Sequence, residues 1–189
     1  MPETDRMVLR RASWPDVDDV VALTTDAEVM GFDDSPPLTP ARVLAEEMPR
    51  LMAQQQRTDQ LGFWVARERV TGAFLGWFMM TPVQPGDGAA GDRATGDRAV
   101  RLGYRLRRRA WDQDYGTEGM LQLIEMARSA EMSTVIASTP AGNPAAGRVM
   151  QRAGLQLDPT GGRAAGEPAS DTEHWQLDVT ADSYQTATA

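Results

Sequence analysis

From Leu102 to Gly119 the chain reads Leu-Gly-Tyr-Arg-Leu-Arg-Arg-Arg-Ala-Trp-Asp-Gln-Asp-Tyr-Gly-Thr-Glu-Gly, a strand that runs through a tight turn into a helix. A helix begins with N–H groups that have no partner within it and with a partial positive charge, so such a turn suits a phosphate. Five arginines between Arg101 and Arg109 set a local positive charge against a formal net charge of −8. They read either as a collar for a phosphorylated ligand or as a solvated strand edge. Asp112 and Asp114 stand in the same turn. Asp114 reads either as a carboxylate opposed to a bound phosphate or as a cap on its own helix.

Other residues with chemistry are few. His174 is the only histidine, and its side chain titrates nearest neutrality. Asp33 and Asp34 form an acidic loop pair that reads either as solvated carboxylates or as a contact for an amine. Asn143, before Pro144, has the form of a helix N-cap. Trp77 begins the run Trp77-Phe78-Met79-Met80, which reads as core with alternate positions free to face a pocket. The chain has no cysteine, which excludes disulfides, zinc–thiolate sites and a thiol nucleophile. One histidine and scattered carboxylates give no metal-binding pattern. The acidic balance argues against nucleic acid or an anionic membrane as partner.

The elements that must position these groups follow from pattern and punctuation. Met7–Ala12 reads as a strand. Val17, Val20, Val21 and Thr24 form a helical stripe behind Ser13-Trp14-Pro15-Asp16. Thr39-Pro40 opens a second helix, with Leu44, Met48, Leu51 and Met52 expected on its apolar face. Phe63–Ala66 and Phe74–Met80 are strands of a hairpin turning at Glu68–Gly72. Residues 85–98 read as a flexible loop. The strand Arg98–Arg105 follows. A helix over Thr117–Ala130 carries Met120, Leu123, Ile124 and Ala127 on one face. Then come a strand at Thr134–Ser138, a helix capped by Asn143 and closed by Gly154, a mobile connection at Pro159–Ser170 and a last strand at His174–Leu177. A disordered tail is expected over 185–189. At 189 residues this is one mixed α/β domain with a central sheet. The polar N-terminal Met-Pro-Glu-Thr-Asp-Arg has no apolar run behind it, and a cytoplasmic location is expected.

Four phrases in order resemble the GNAT acetyltransferases, in the branch that acetylates ribosomal-protein N-termini. They are Asp26-Ala27-Glu28-Val29-Met30, Gly72-Ala73-Phe74-Leu75-Gly76-Trp77, Leu102-Gly103-Tyr104-Arg105-Leu106, and Asn143 through Leu155. The similarity runs from about Asp5 to Leu177. It implies a mixed central sheet flanked by helices, with strands splayed at a cofactor cleft near Leu106 and a bulge in the strand before the turn. Acetyl-CoA is the implied cofactor. Leu106, Arg107, Gln113, Asp114, Tyr115, Gly116, Thr117 and Asn143 are the implied contacts to it, with Asn143 also polarising the acyl group. Asp33, Asp34, Trp77 and His174 fall on the implied acceptor side. The partner is then a small-molecule or peptide amine, the assembly a monomer or homodimer.

The chain departs from that branch at four places. Asp112 and Asp114 replace two glycines of the turn. Arg101 replaces an acidic residue that relays a proton, and Ala146 replaces a serine that protonates the leaving thiolate. The residues name no general base. A second reading therefore stands beside the first, in which the fold no longer uses acetyl-CoA and handles a different small molecule.

Overall fold

The computed structural model describes residues 3–31, 38–55, 61–83, 98–158 and 171–180. Asp33, Asp34, residues 85–97, the connection over 159–170 and the tail over 185–189 lie outside the described residues.

Strand β1 (Met7–Arg11) is followed by helices α1 (Val17–Thr24) and α2 (Ala27–Met30), the latter capped by Asp26 through the N–H groups of Glu28 and Val29. Thr39 and Pro40 open α3 (Pro40–Arg42) as expected, with the Thr39 side chain accepting from the Arg42 N–H. A π-helical turn at Val43–Glu47 then leads into α4 (Met48–Gln55). This turn corrects the expected apolar face: Leu44 is exposed, whereas Val43 is fully buried. The Met48 N–H bonds back five residues to the Val43 carbonyl, so the wider turn brings Val43 rather than Leu44 above Met48 and Leu51.

Strands β2 (Gly62–Glu68), β3 (Phe74–Pro82) and β4 (Ala99–Leu106) form an antiparallel meander with β1. Helix α5 (Tyr115–Ser129) begins two residues earlier than expected and buries Met120, Leu123, Ile124 and Ala127 as its periodicity predicts. Strand β5 (Thr134–Pro140) precedes helix α6 (Pro144–Arg152), which Asn143 caps by accepting from the Ala146 N–H at 3.1 Å. A short strand, β6 (Gln156–Leu157), escaped the sequence reading; both residues are exposed, so no apolar alternation marks it. The last strand, β7 (Thr172–Asp178), is longer than expected.

The sheet runs β1-β2-β3-β4-β5-β7-β6. One core lies under α5 and α6 and includes Phe78, Met80, Leu102, Leu123 and Met150; the other lies under α1 to α4 and includes Val20, Val43, Met48 and Phe63. Gly119 lets α5 approach the sheet, because a Cβ there would meet the Phe78 ring at 2.1 Å.

Candidate active site

The parallel ladder between β4 and β5 has three pairs, Ala99 with Thr134, Val100 with Val135 and Arg101 with Ile136. Beyond these the strands part, leaving Leu102 to Leu106 and Ala137 to Pro140 on the two arms of a V. The expected splay is therefore present, and it begins at Arg101 rather than close to Leu106. The expected bulge is not in β4, whose register with β3 is unbroken from Val100 to Leu106. The register shift lies instead between β2 and β3, at Ala66/Arg67.

Register also fixes which backbone groups face the gap. The Arg107 N–H donates to the Leu75 carbonyl at 2.8 Å and the Val83 N–H to the Ala99 carbonyl at 3.2 Å. Odd-numbered residues of β4 thus bond to β3, and the N–H and C=O groups of Leu102, Tyr104 and Leu106 face the side from which β5 has departed. The Leu106 carbonyl accepts from Trp111 Nε1 at 2.8 Å. The Leu106 N–H and both backbone groups of Tyr104 remain directed into the V. Burial pushes the Tyr104 phenol pKa up to about 12, so it stays protonated; its ring packs beside Phe78 and Gly116.

The turn after β4 delivers the head of α5 to the same gap. Asp112 and Asp114 take left-handed backbone conformations, with φ of 55° and 60°. Aspartate tolerates this region better than most residues, and glycine adopts it freely. The aspartates therefore keep a backbone shape that glycines would give. Asp114 occupies the N-cap position, but its carboxylate makes no cap hydrogen bond; it pairs with Arg152 of α6. Of the two readings of Asp114, the cap on its own helix is not the one the structure shows. A left-handed residue directs its side chain away from the first-turn amides, whereas a capping residue is extended. Among the described residues no acceptor engages the N–H groups of Tyr115, Gly116 and Thr117, and the buried Thr117 hydroxyl likewise has no partner.

The arginines do not form a collar around that helix start. Arg107 pairs with Asp19 of α1 at 3.1 Å and lies over the Phe74 ring. Arg108 pairs with Glu28 at 3.2 Å, and Arg109 donates to the Phe74 carbonyl at 2.8 Å. Each guanidinium is directed to α1, α2 or β3. The cation that pairs with the Asp114 carboxylate is Arg152, and sequence reasoning missed it because nothing local ties the two residues together.

The remaining contacts hold the loop in place. The Gln113 side chain donates to the Arg109 carbonyl, and its own carbonyl accepts from Arg6. Glu118 binds Thr4 and Arg6; these bonds outweigh the effect of its burial and hold its carboxyl pKa below the usual value. The Tyr115 side chain turns away from the gap and donates to Glu68 at 3.1 Å. Asn143 sits on the opposite arm, its carboxamide oxygen committed to the α6 cap.

On the other face of the sheet, Trp77 lies between Phe63, with ring centroids 5.0 Å apart, and Arg105, 5.6 Å above it. His174 shares this face across the gap: it pairs with Ser138 of β5, whose hydroxyl accepts from Arg101 Nη1 at 3.4 Å. Trp77 and His174 therefore stand on opposite arms of one cleft. Among the described residues no group of His, Asp and Glu side chains is arranged to hold a metal, and no helix is long and apolar enough to cross a membrane.

A family model described as an acetyltransferase (GNAT) domain matches residues 6–156. The chain belongs to the GNAT acetyltransferase family. Solved structures agree in fold. A GNAT-family acetyltransferase from Bacillus anthracis superposes with a TM-score of 0.74 at 13% identity, covering 95% of this chain and 98% of that one. The aminoglycoside acetyltransferase AAC(6')-Ib, in a complex with ribostamycin and coenzyme A, gives 0.74 at 17% identity, covering 98% and 100%. Spermidine N-acetyltransferase from Vibrio cholerae, solved with CoA and spermine, gives 0.68 at 9% identity, covering 92% and 96%. No curated protein matches the chain. At these identities the structural likeness establishes the GNAT fold.

Proposed function

We propose that this GNAT protein is an N-acetyltransferase that transfers the acetyl group of acetyl-CoA to a primary amine of a small molecule or a peptide N-terminus. The observation that carries the reading is the conjunction of two sets of available backbone donors: the first-turn amides of α5, and the open edge of β4 beyond Arg101. The residues fit the cofactor. Left-handed Asp112 and Asp114 shape the turn, Arg152 draws the Asp114 carboxylate aside, and Thr117 offers a hydroxyl without a partner.

In this reading the amides of Asp114 to Thr117, with Gln113 in the same turn, hold the diphosphate. The open edge at Tyr104 and Leu106 receives the pantetheine arm, and Asn143 lines the other side. Arg107 serves indirectly, by fixing the turn to Asp19. When bound, acetyl-CoA supplies an activated thioester. The Leu106 N–H is directed where a carbonyl oxygen gaining negative charge would be stabilised. Trp77 and His174 line the acceptor side. Ribostamycin and spermine, held by the structural relatives, are the first acceptors to try.

The test incubates the protein with acetyl-CoA and a panel of primary amines that includes ribostamycin, spermine and short peptides. Mass spectrometry should find an acceptor gaining one acetyl group, and free thiol should appear at the same rate. Thiol release without any acetylated amine would contradict the assignment.

A further inference from the structure

Four polar residues from four neighbouring segments form one row across the face of the sheet that carries Trp77. The Asp158 N–H, just beyond β6, donates to the His174 carbonyl at 2.8 Å, continuing the register of Gln156 with Gln176 and Leu157 with Trp175. Asp158 and His174 are thus direct cross-strand neighbours on one face. His174 in turn pairs with Ser138 of β5, and Ser138 accepts from Arg101 of β4 across the point where the cleft opens. Asp158 is buried and His174 half-buried. A buried carboxylate beside an imidazole acts on it through its charge and favours the protonated ring. The row ends at the mouth of the V, next to the open edge of β4.

Resting on the acetyltransferase reading, we propose that His174 is the catalytic base that accepts the proton of the acceptor amine, with Asp158 and Ser138 as its cross-strand neighbours on the same face. Arg101, at the point where the cleft opens, cannot take that proton, because a guanidinium stays charged. Burial, reinforced by the Arg101 charge and opposed by Asp158, lowers the imidazole pKa below its ordinary 6.5. Among the described residues the charged groups acting on the ring are these two, from β4 and from the end of β6; Glu173 lies on the opposite face, against Gly147 of α6. The ring is therefore neutral and able to accept a proton at pH 7.

The acceptor ammonium gives one proton to the imidazole and becomes the amine. The amine nitrogen bonds to the acyl carbon as the carbon–sulfur bond breaks, and the second nitrogen proton leaves with the sulfur as the thiol. The imidazolium then returns its proton to water.

Because His174 is the sole histidine, its ring resonances in a carbon–proton NMR spectrum need no assignment. Three results are expected. The resonances titrate with a midpoint below 6.5, and saturating desulfo-CoA or spermine shifts them. Asp158→Asn lowers the midpoint, and Arg101→Gln raises it. His174→Gln keeps acetyl-CoA affinity and fold, lowers kcat with spermine or ribostamycin by about a hundredfold or more, and removes the acid limb of the pH profile. Ring resonances that respond to neither desulfo-CoA nor spermine would overturn the proposal, even if neither amine is acetylated. So would a His174→Gln enzyme with wild-type turnover and an unchanged acid limb. Failure of the wild-type protein to bind acetyl-CoA would instead count against the acetyltransferase reading on which the proposal rests.

Discussion

Arg152, at the end of α6, donates from Nη1 to Oδ1 of Asp114 at the head of α5, joining two helices on opposite arms of the cleft. The side chains are exposed by 61% and 66%, so the pair contributes little to folding. Its effect is local. It neutralises a carboxylate that stands beside the amides proposed to hold a diphosphate.

Arg152→Gln should therefore weaken acetyl-CoA binding by about fivefold, the equivalent of about 1 kcal/mol for like charges near a solvated surface. The loss should shrink at high salt. Asp114→Gly in the same chain should restore the affinity. Calorimetric titration of the two single variants and the double variant closes the cycle, and additive effects would show that the residues do not act through one another.

Asp114→Gly alone should leave the melting temperature of the unliganded protein unchanged or raise it. No cap hydrogen bond is lost, because the carboxylate makes none, and a left-handed φ of 60° costs a non-glycine residue about 1 kcal/mol. A drop of several degrees in a thermal melt would mean that the carboxylate holds the loop together.

Gly119→Ala should destabilise the protein by about 1–3 kcal/mol, since a new methyl group would have to displace the fully buried Phe78 ring. Phe78→Leu in the same chain should recover part of the loss. Urea unfolding of the three variants measures this, and an unaffected Gly119→Ala protein would show that α5 sits farther from β3.

Asp16 gives the acid dependence. Its burial raises the carboxyl pKa, but hydrogen bonds from Arg10 and Ser13 outweigh that effect and hold it below the usual carboxylate value. A depressed folded-state pKa contributes stability above the unfolded value, and that contribution fades as pH falls through the folded one. Between pH 5 and pH 3 the wild-type protein should lose stability more steeply than Asp16→Asn, which begins less stable at neutral pH. Parallel slopes in denaturant titrations across this range would contradict the assignment.

The parts of the fold legible in the sequence are those written locally. Thr39-Pro40 and Asn143-Pro144 mark helix starts because capping involves neighbours three residues apart. Met120, Leu123, Ile124 and Ala127 mark the buried face of α5 because its periodicity is regular. The π turn at Val43–Glu47 breaks that regularity, so the exposed Leu44 could not be told from the buried Val43. In the site, the helix start was legible and its electrostatics were not. Arg107, Arg108 and Asp114 find their partners in Asp19, Glu28 and Arg152, far away in sequence. The row from Asp158 to Arg101 exists only once the register of β5, β6 and β7 is fixed.

The central claim is that the open edge of β4 and the head of α5 together form an acetyl-CoA site. Calorimetric titration of the intact protein with acetyl-CoA, with desulfo-CoA as the unreactive comparison, tests it most directly. The account predicts one site per chain with micromolar affinity for both ligands, about fivefold weaker in Arg152→Gln. No heat of binding at millimolar ligand in the wild-type protein and in Asp112→Gly/Asp114→Gly alike would contradict it, and would show that the cleft serves a different small molecule.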